Sequence, residues 1–201
     1  MVIKSTGLLI AAGLSGRMGK PKALLMNDDL PFAIIILNKI LLVCDRVVVV
    51  LGHNADNIKK ELQVFINKSD ELKLRVKFVT NENFEKGMLS SLKYGLNAEL
   101  NSKWLLYHFV DQPGLPEEFY QEFTTQIENN YDWIQPSYNS KKGHPLLLQS
   151  SIFNSILELP DNSSLKEISM NNKTKKKFWD CKYKEILQDI DYPSDLKENK
   201  S

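Results

Sequence analysis

Residues 8–25 read LLIAAGLSGRMGKPKALL. They begin as an apolar strand, break on Gly13, Gly16 and Gly19, and then deliver Arg17, Lys20 and Lys22. The G-x-x-G-x-x-G spacing is not the G-x-G-x-x-G of a dinucleotide fold, and it lacks the Gly-Lys-Ser/Thr ending of an NTPase phosphate loop. What remains is the physics those loops share: glycine lets backbone N–H groups surround an oxyanion, and fixed cations add complementary charge. The chain has three arginines, Arg17, Arg46 and Arg75, so one set between two of these glycines carries information. Pro21 stiffens the backbone between Lys20 and Lys22 and aims both side chains. The stretch reads as a phosphate loop after a first strand, against the alternative of a surface turn with solvated lysines.

Outward from this loop, apolar runs alternate with segments of helical period. GLLIAA (7–12), RVVVVLG (46–52), LRVKFVTN (74–81) and KWLLYHFVD (103–111) read as strands, and 32–43, 54–66 and 88–99 as helices between them. Pro116 followed by two glutamates opens a further helix with the charge its dipole prefers. WIQPSYN (133–139) and HPLLLQ (144–149) are joined through SKKG, helices are expected near 150–159 and 163–170, and YKEILQDIDYPSDLKE (183–198) reads as a late strand leading into a short helix. This rhythm predicts one α/β domain over 1–201, three-layer α/β/α and Rossmann-like, with a mostly parallel sheet whose ligand crevice lies at the C-terminal strand ends.

Composition bounds the function. A chain of 201 residues with a formal net charge of +1 has neither the basic surplus of a nucleic-acid binder nor an apolar run near the ~20 residues that span a bilayer. A cytoplasmic protein is expected, with no nucleic acid or membrane partner. NNKTKKK (171–177) reads as a solvated loop, and Cys44 and Cys181 as buried free thiols.

The loop LIAAGLSGRMGKPKALL resembles the signature of the nucleotidyltransferases that load a nucleotide onto molybdopterin, in the cytidylyl-transferring form. Guanylyl-transferring relatives carry A-G-G where this chain has Ala11-Ala12-Gly13, and Asp-Lys where it has Pro21-Lys22. GMLSSLKYGL (87–96), VDQPGLP (110–116), GHPLLL (143–148) and DIDYPSDL (189–196) follow in the family's order, so the resemblance spans nearly the whole chain. The chain departs from the family at LPDNSSLKEI (159–168), where members often carry a glycine-aspartate-x-glycine-like turn.

The resemblance implies the nucleotide-diphospho-sugar transferase type of fold and transfer of CMP from CTP to a phosphorylated small-molecule acceptor, molybdopterin or the molybdenum cofactor, with release of pyrophosphate. The nucleophile is already anionic, so catalysis reduces to positioning and charge neutralisation. Arg17 then suits the β- and γ-phosphates and Lys22 the α-phosphate; Lys20 is a weaker candidate. Nucleotide contacts are expected from Ala11, Ala12, Gly13, Ser15, Gly16, Arg17, Lys22, Gly87, Ser90 and Ser91, and acceptor contacts from Gly143, His144 and Pro145. Mg²⁺, with Mn²⁺ as alternative, is expected on Asp111 and Asp191, with Asp189 the other option for the second ligand. His108 reads as core, and Met18 and Met88 as packing residues. A molybdoenzyme or its chaperone is the implied transient partner. A molybdopterin guanylyltransferase, a sugar- or polyol-phosphate nucleotidyltransferase and a non-catalytic nucleotide-binding regulator remain as alternatives.

Overall fold

The computed structural model describes residues 5–14, 18–192 and 194–195. β1 (Ser5–Ala11) leads through the loop into a small antiparallel hairpin, β2 (Met26–Asn27) and β3 (Leu30–Pro31). Then follow α1 (Phe32–Leu41), β4 (Arg46–Leu51), α2 (Ala55–Ile66), α3 (Asp70–Arg75), β5 (Val76–Thr80), α4 (Met88–Ala98), β6 (Trp104–Phe109) and α5 (Glu117–Thr124). The second half adds β7 (Trp133–Tyr138), β8 (Lys141–Lys142), β9 (Leu146–Gln149), α6 (Phe153–Glu158), α7 (Lys166–Met170) and β10 (Lys176–Asp180). The main sheet runs β10-β7-β9-β6-β1-β4-β5, with β8 paired to β7. β1, β4, β5 and β6 are parallel; β9 is antiparallel to both β6 and β7, and β10 is parallel to β7.

Strand alternation explains the three layers. Leu9, Ala11, Val47, Val49, Leu51 and Leu106 pack with α1, α2 and α5 on one face. Leu8, Ile10, Val48, Val50, Leu105 and Tyr107 pack with α4, α6 and α7 on the other. A parallel strand covered on both faces must be apolar along its covered length, and after the exposed Arg46 that opens it, β4 reads VVVVL. β1 and α1 approach so closely that a Cβ at Gly7 would lie 2.2 Å from Ile40 Cγ2, so this strand position requires glycine.

The elements agree with the sequence reading within a few residues except at the end of the chain. Among the described residues, 183–192 form no strand: Lys184–Leu187 is a 3-10 turn. The reason lies in the spacing, because Tyr183, Ile186 and Ile190 are buried three and four residues apart, as on a helical face, and do not alternate. The last strand is instead β10, whose first two residues, Lys176 and Lys177, end the basic patch. Lysines suit a strand bonded on one side only, because they discourage a second pairing. The rest of the patch is turn, with Thr174 buried in it. Cys44 is buried as expected, whereas Cys181 is only half-buried. Met18 packs against Leu25, Phe32 and Ile190, but Met88 is 66% exposed, which corrects its reading as a packing residue. The short α3 and the β2–β3 hairpin carry no periodic apolar pattern and were not foreseen. No helix among the described residues is long and apolar enough to cross a membrane.

His108 lies fully buried in β6, its Nδ1 2.7 Å from Phe109 O and its Nε2 2.8 Å from Tyr120 Oη. A carbonyl only accepts, so Nδ1 carries the proton and Nε2 accepts from the tyrosine. Burial pushes this imidazole down to about 3. The unfolded chain therefore takes up a proton near pH 6.5 that the folded protein refuses until about pH 3, and stability falls as pH drops through that window. The limiting slope for one such proton is about 1.4 kcal/mol per pH unit. Urea unfolding from pH 7 to pH 4 should show this loss, and His108→Gln should flatten the slope. An unchanged slope in the variant refutes the assignment.

Candidate active site

Parallel pairing sets Ile10 beside Phe109, so the ends of β1 and β6 and the loops that follow them emerge together. The β1 loop starts with Ala11 and Ala12, both buried, and Gly13, where a Cβ would meet nothing within 4 Å. His53 N donates to Ala12 O at 3.3 Å, which ties this loop to the end of β4. Ser15, Gly16 and Arg17 lie outside the described residues. Lys20 is exposed, and Lys22 opens a 3-10 turn, Lys22–Leu24, anchored by Leu24 N donating to Pro21 O at 2.9 Å.

From that turn the Lys22 ammonium donates to Asp111 Oδ2 at 3.0 Å and to Asp191 Oδ1 at 2.5 Å. Three sequence-predicted site residues, 169 positions apart at the extremes, thus meet at one point. Burial of the ammonium opposes its charge, but the two carboxylates outweigh it and hold Lys22 above the ordinary lysine value. Asp111 is placed by the β6 end, and the tail is held beside it by Ile190 N donating to Asp111 O at 2.8 Å. Asp191 N in turn donates to Asp195 Oδ2 at 2.9 Å. Asp189 points elsewhere: Gln112 Nε2 donates to its Oδ1 at 2.8 Å, and burial, with the Asp111 charge nearby, raises its carboxyl above the usual range.

Two hollows adjoin this point. One of about 210 Å³ is lined by Ala11, Gly13, Pro21, Lys22 and Asp111. A larger one of about 700 Å³ lies over the antiparallel half of the sheet, with Tyr107, Trp133, Leu146 and Phe178 on apolar wall and Lys86, Lys142, Lys166 and Lys176 among the polar lining. Met88 and Phe109 line both and form the partition between them. That is where Met88 acts, exposed at the start of α4.

Gly87 lines the larger hollow with φ +98°, a left-handed backbone that favours glycine. Ser90 and Ser91 turn their hydroxyls inward. Asn81 Nδ2 donates to Ser90 Oγ at 3.0 Å and to Ser91 Oγ at 3.1 Å, and all three residues are buried. Asn81, at the end of β5, was missed by the sequence reading; its signal is a lone asparagine closing an apolar strand three residues before an aromatic turn.

On the acceptor side the predicted trio separates. His144 lines the larger hollow, edge-on to Phe109 at 4.8 Å, and burial pushes its imidazole down to about 4, so it is neutral at pH 7. Its Nδ1 is buried with no hydrogen-bond partner among the described residues. Gly143 instead packs on the tail: a Cβ there would lie 2.4 Å from Ile186 O, a backbone atom that cannot swing away. Pro145 is buried behind it, joined to His144 by a cis peptide. Gly143 and Pro145 therefore shape the wall that presents His144.

Lys39 is a further residue the sequence reading passed over. It is the one charge in the helical run FAIIILNKIL, and it donates to Pro113 O at 2.9 Å and Leu115 O at 2.7 Å, directly after Asp111 and Gln112. Burial holds it below the ordinary lysine value.

For a divalent cation, the described side chains that could supply donors at this point are the Asp111 and Asp191 carboxylates. No group of three or more His, Cys, Asp or Glu side chains assembles among the described residues. Two carboxylates already closing on one positive centre suit Mg²⁺, which takes few protein ligands and completes its shell with phosphate oxygens and water.

Comparison with known proteins agrees with this geometry. The chain is 24% identical over 190 residues to the molybdenum cofactor cytidylyltransferase of Escherichia coli (strain K12), covering 94% of this chain and 92% of that protein. It is 26% identical over 145 residues to a protein named "Probable molybdenum cofactor guanylyltransferase" of Bacillus cereus (strain Q1), covering 72% of this chain and 66% of that one. A Mycobacterium tuberculosis H37Rv protein solved in complex with manganese shares the fold at a TM-score of 0.73 and 18% identity, covering 98% of this chain and 97% of that one. The mostly parallel sheet with helices on both sides is that of the nucleotide-diphospho-sugar transferases. Residues 7–175 match the family model described as the MobA-like NTP transferase domain, and the chain belongs to that family: it is a nucleotidyltransferase.

Proposed function

We propose that the protein transfers CMP from CTP to the terminal phosphate of molybdopterin or the molybdenum cofactor, releasing pyrophosphate. The observation that carries this reading is the meeting of Lys22, Asp111 and Asp191 at the edge of the smaller hollow, with the larger one across the Met88–Phe109 partition. The triphosphate belongs in the first and the acceptor in the second. An acceptor phosphate oxygen attacks the α-phosphorus; the bond to the α,β-bridging oxygen breaks, and its electrons leave with pyrophosphate. Lys22 neutralises charge at the α-phosphate, and Arg17 takes the β- and γ-phosphates by the same loop logic. Asp111 and Asp191 hold the divalent cation, Mg²⁺ or Mn²⁺, which when bound supplies Lewis-acid charge to the phosphate oxygens.

The larger hollow fits a flat, anionic acceptor. Its Tyr107, Phe109, Trp133 and Phe178 rings offer apolar faces, and its four lysines offer charge. The divergent segment 159–168 forms part of that wall through Ser163, Ser164 and Lys166, and this is the one observation favouring a sugar- or polyol-phosphate acceptor as second reading. CTP is favoured over GTP by Ala12 and Pro21, which stand where the guanylyl-transferring pattern has glycine and aspartate. The nearly full-length likeness to a cytidylyltransferase supports the same choice.

Pyrophosphate release with each nucleotide, Mg²⁺ and a molybdopterin acceptor tests the reading. CTP should give the higher kcat/KM, and tighter binding of Mg²⁺-GTP in a titration overturns the base assignment. Asp111→Asn should lower turnover by on the order of 10²-fold or more while leaving the thermal melt near the parent's, because the amide keeps the shape and loses the charge. Near-normal turnover across a Mg²⁺ or Mn²⁺ titration removes Asp111 from the site.

A further inference from the structure

The Lys22 ammonium engages one oxygen of each carboxylate assigned above to the metal, so ammonium and metal compete for the same lone pairs. We propose that Lys22 has two stations. In the nucleotide-free protein its ammonium sits between Asp111 and Asp191 and blocks the divalent cation. It leaves for a phosphate only when the triphosphate arrives, so metal is taken up with the nucleotide and not before it. This rests on the metal assignment of the proposed function and adds a binding order to it.

Three features carry the argument. The first is geometry: with contacts of 3.0 and 2.5 Å, the ammonium sits between the two carboxylates, in the position a cation bridging them would take. The second is that the carboxylates are placed without the lysine. Asp111 follows the β6 end, Ile190 N donates to Asp111 O, and Asp191 N donates to Asp195 Oδ2, so the pair stays together when the ammonium departs. The third is reach. Lys22 also lines the 210 Å³ hollow with Gly13, and its backbone is fixed in a turn by Leu24 N on Pro21 O and Leu25 N on Lys22 O, so only the flexible four-carbon stem moves between stations.

The energetics follow from charge. Metal entering alone must push a half-buried ammonium off two carboxylates into a hollow whose described lining holds no carboxylate besides Asp111. Metal entering with a triphosphate brings the anion that receives the ammonium. Metal and nucleotide therefore raise each other's affinity, and by thermodynamic linkage they do so by the same factor.

The test is Mn²⁺ binding to the full chain without nucleotide, read by the electron paramagnetic resonance signal of free Mn²⁺. Lys22→Met should bind Mn²⁺ about tenfold more tightly than the parent, a coupling of ordinary size. Adding Asp111→Asn to Lys22→Met should abolish the gain. Lys20→Met removes the same unit of charge from the same loop and should bind Mn²⁺ as the parent does. Lys22→Gln should shift affinity in the same direction as Lys22→Met, and a thermal melt of each variant confirms folding. Equal affinity in parent and Lys22→Met overturns the proposal, as does an equal gain in Lys20→Met. Water-proton relaxation with CTP present separates the two readings. Mn²⁺ bound at the protein with CTP, but no tighter without it in Lys22→Met, leaves the metal assignment standing and removes the two stations. No protein-bound Mn²⁺ even with CTP removes both.

Discussion

The parallel pairing of β1 with β6 is the constraint on which the site depends. Its register sets Ile10 against Phe109, so the glycine loop and Asp111 leave the sheet side by side, with Val110 N donating to Ile10 O at 3.1 Å just beyond the strands. A parallel pair delivers both C-terminal ends to one edge, which antiparallel neighbours do not. The change to antiparallel pairing at β9, next to β6, then defines the second half of the site. On the parallel side lies the small hollow under the loop, and on the antiparallel side the large aromatic one. Nucleotidyl transfer needs a place for the nucleotide and one for its acceptor, and this topology offers two adjoining compartments from one sheet.

Phe109 and Met88 divide those compartments from opposite layers. Phe109 ends β6 and stacks edge-on with Tyr107 at 4.9 Å and with His144 at 4.8 Å. Met88 comes from the first position of α4, whose start is fixed by the Asn81 side chain holding Ser90 and Ser91. The buried polar cluster at Asn81 therefore has a consequence at a distance: it sets where the partition stands. A fully satisfied amide in the core rigidifies what surrounds it.

How much of this the sequence reveals follows from the range of the interactions involved. The succession of strands and helices, the glycine loop, and Lys22 and Asp111 taken singly are legible because each depends on a local pattern: an apolar run, a glycine spacing, an acid at a strand end. Asp191 is legible only through resemblance, because its approach depends on a tail fold whose helical spacing at Tyr183, Ile186 and Ile190 resembles a strand when read in a short apolar window. Ser90 and Ser91 misled because hydroxyls at a helix start look available until the long-range partner Asn81 is known. Met88 misled for the converse reason: a methionine's role depends on whether a wall stands behind it, as a glycine's depends on what approaches it, here Ile186 O at Gly143.

Lys39 shows why the Asp111 loop holds its shape. A lysine in the middle of an apolar helix face is desolvated, and burial accordingly lowers its affinity for the proton. Its place in the last turn of α1 suits the helix dipole, but a leucine there would add apolar burial without the desolvation cost. Its two carbonyl partners, Pro113 O and Leu115 O, lie in a proline-glycine stretch with no regular ladder to satisfy them. Carbonyls buried without partners cost about 1–3 kcal/mol each, so one ammonium serving two of them offsets much of its own desolvation. The loop that follows Asp111 is thereby fixed from beneath by α1, while the tail fixes it from above through Ile190 N. Held on both sides, the Asp111 carboxylate is fixed where it meets the Lys22 ammonium.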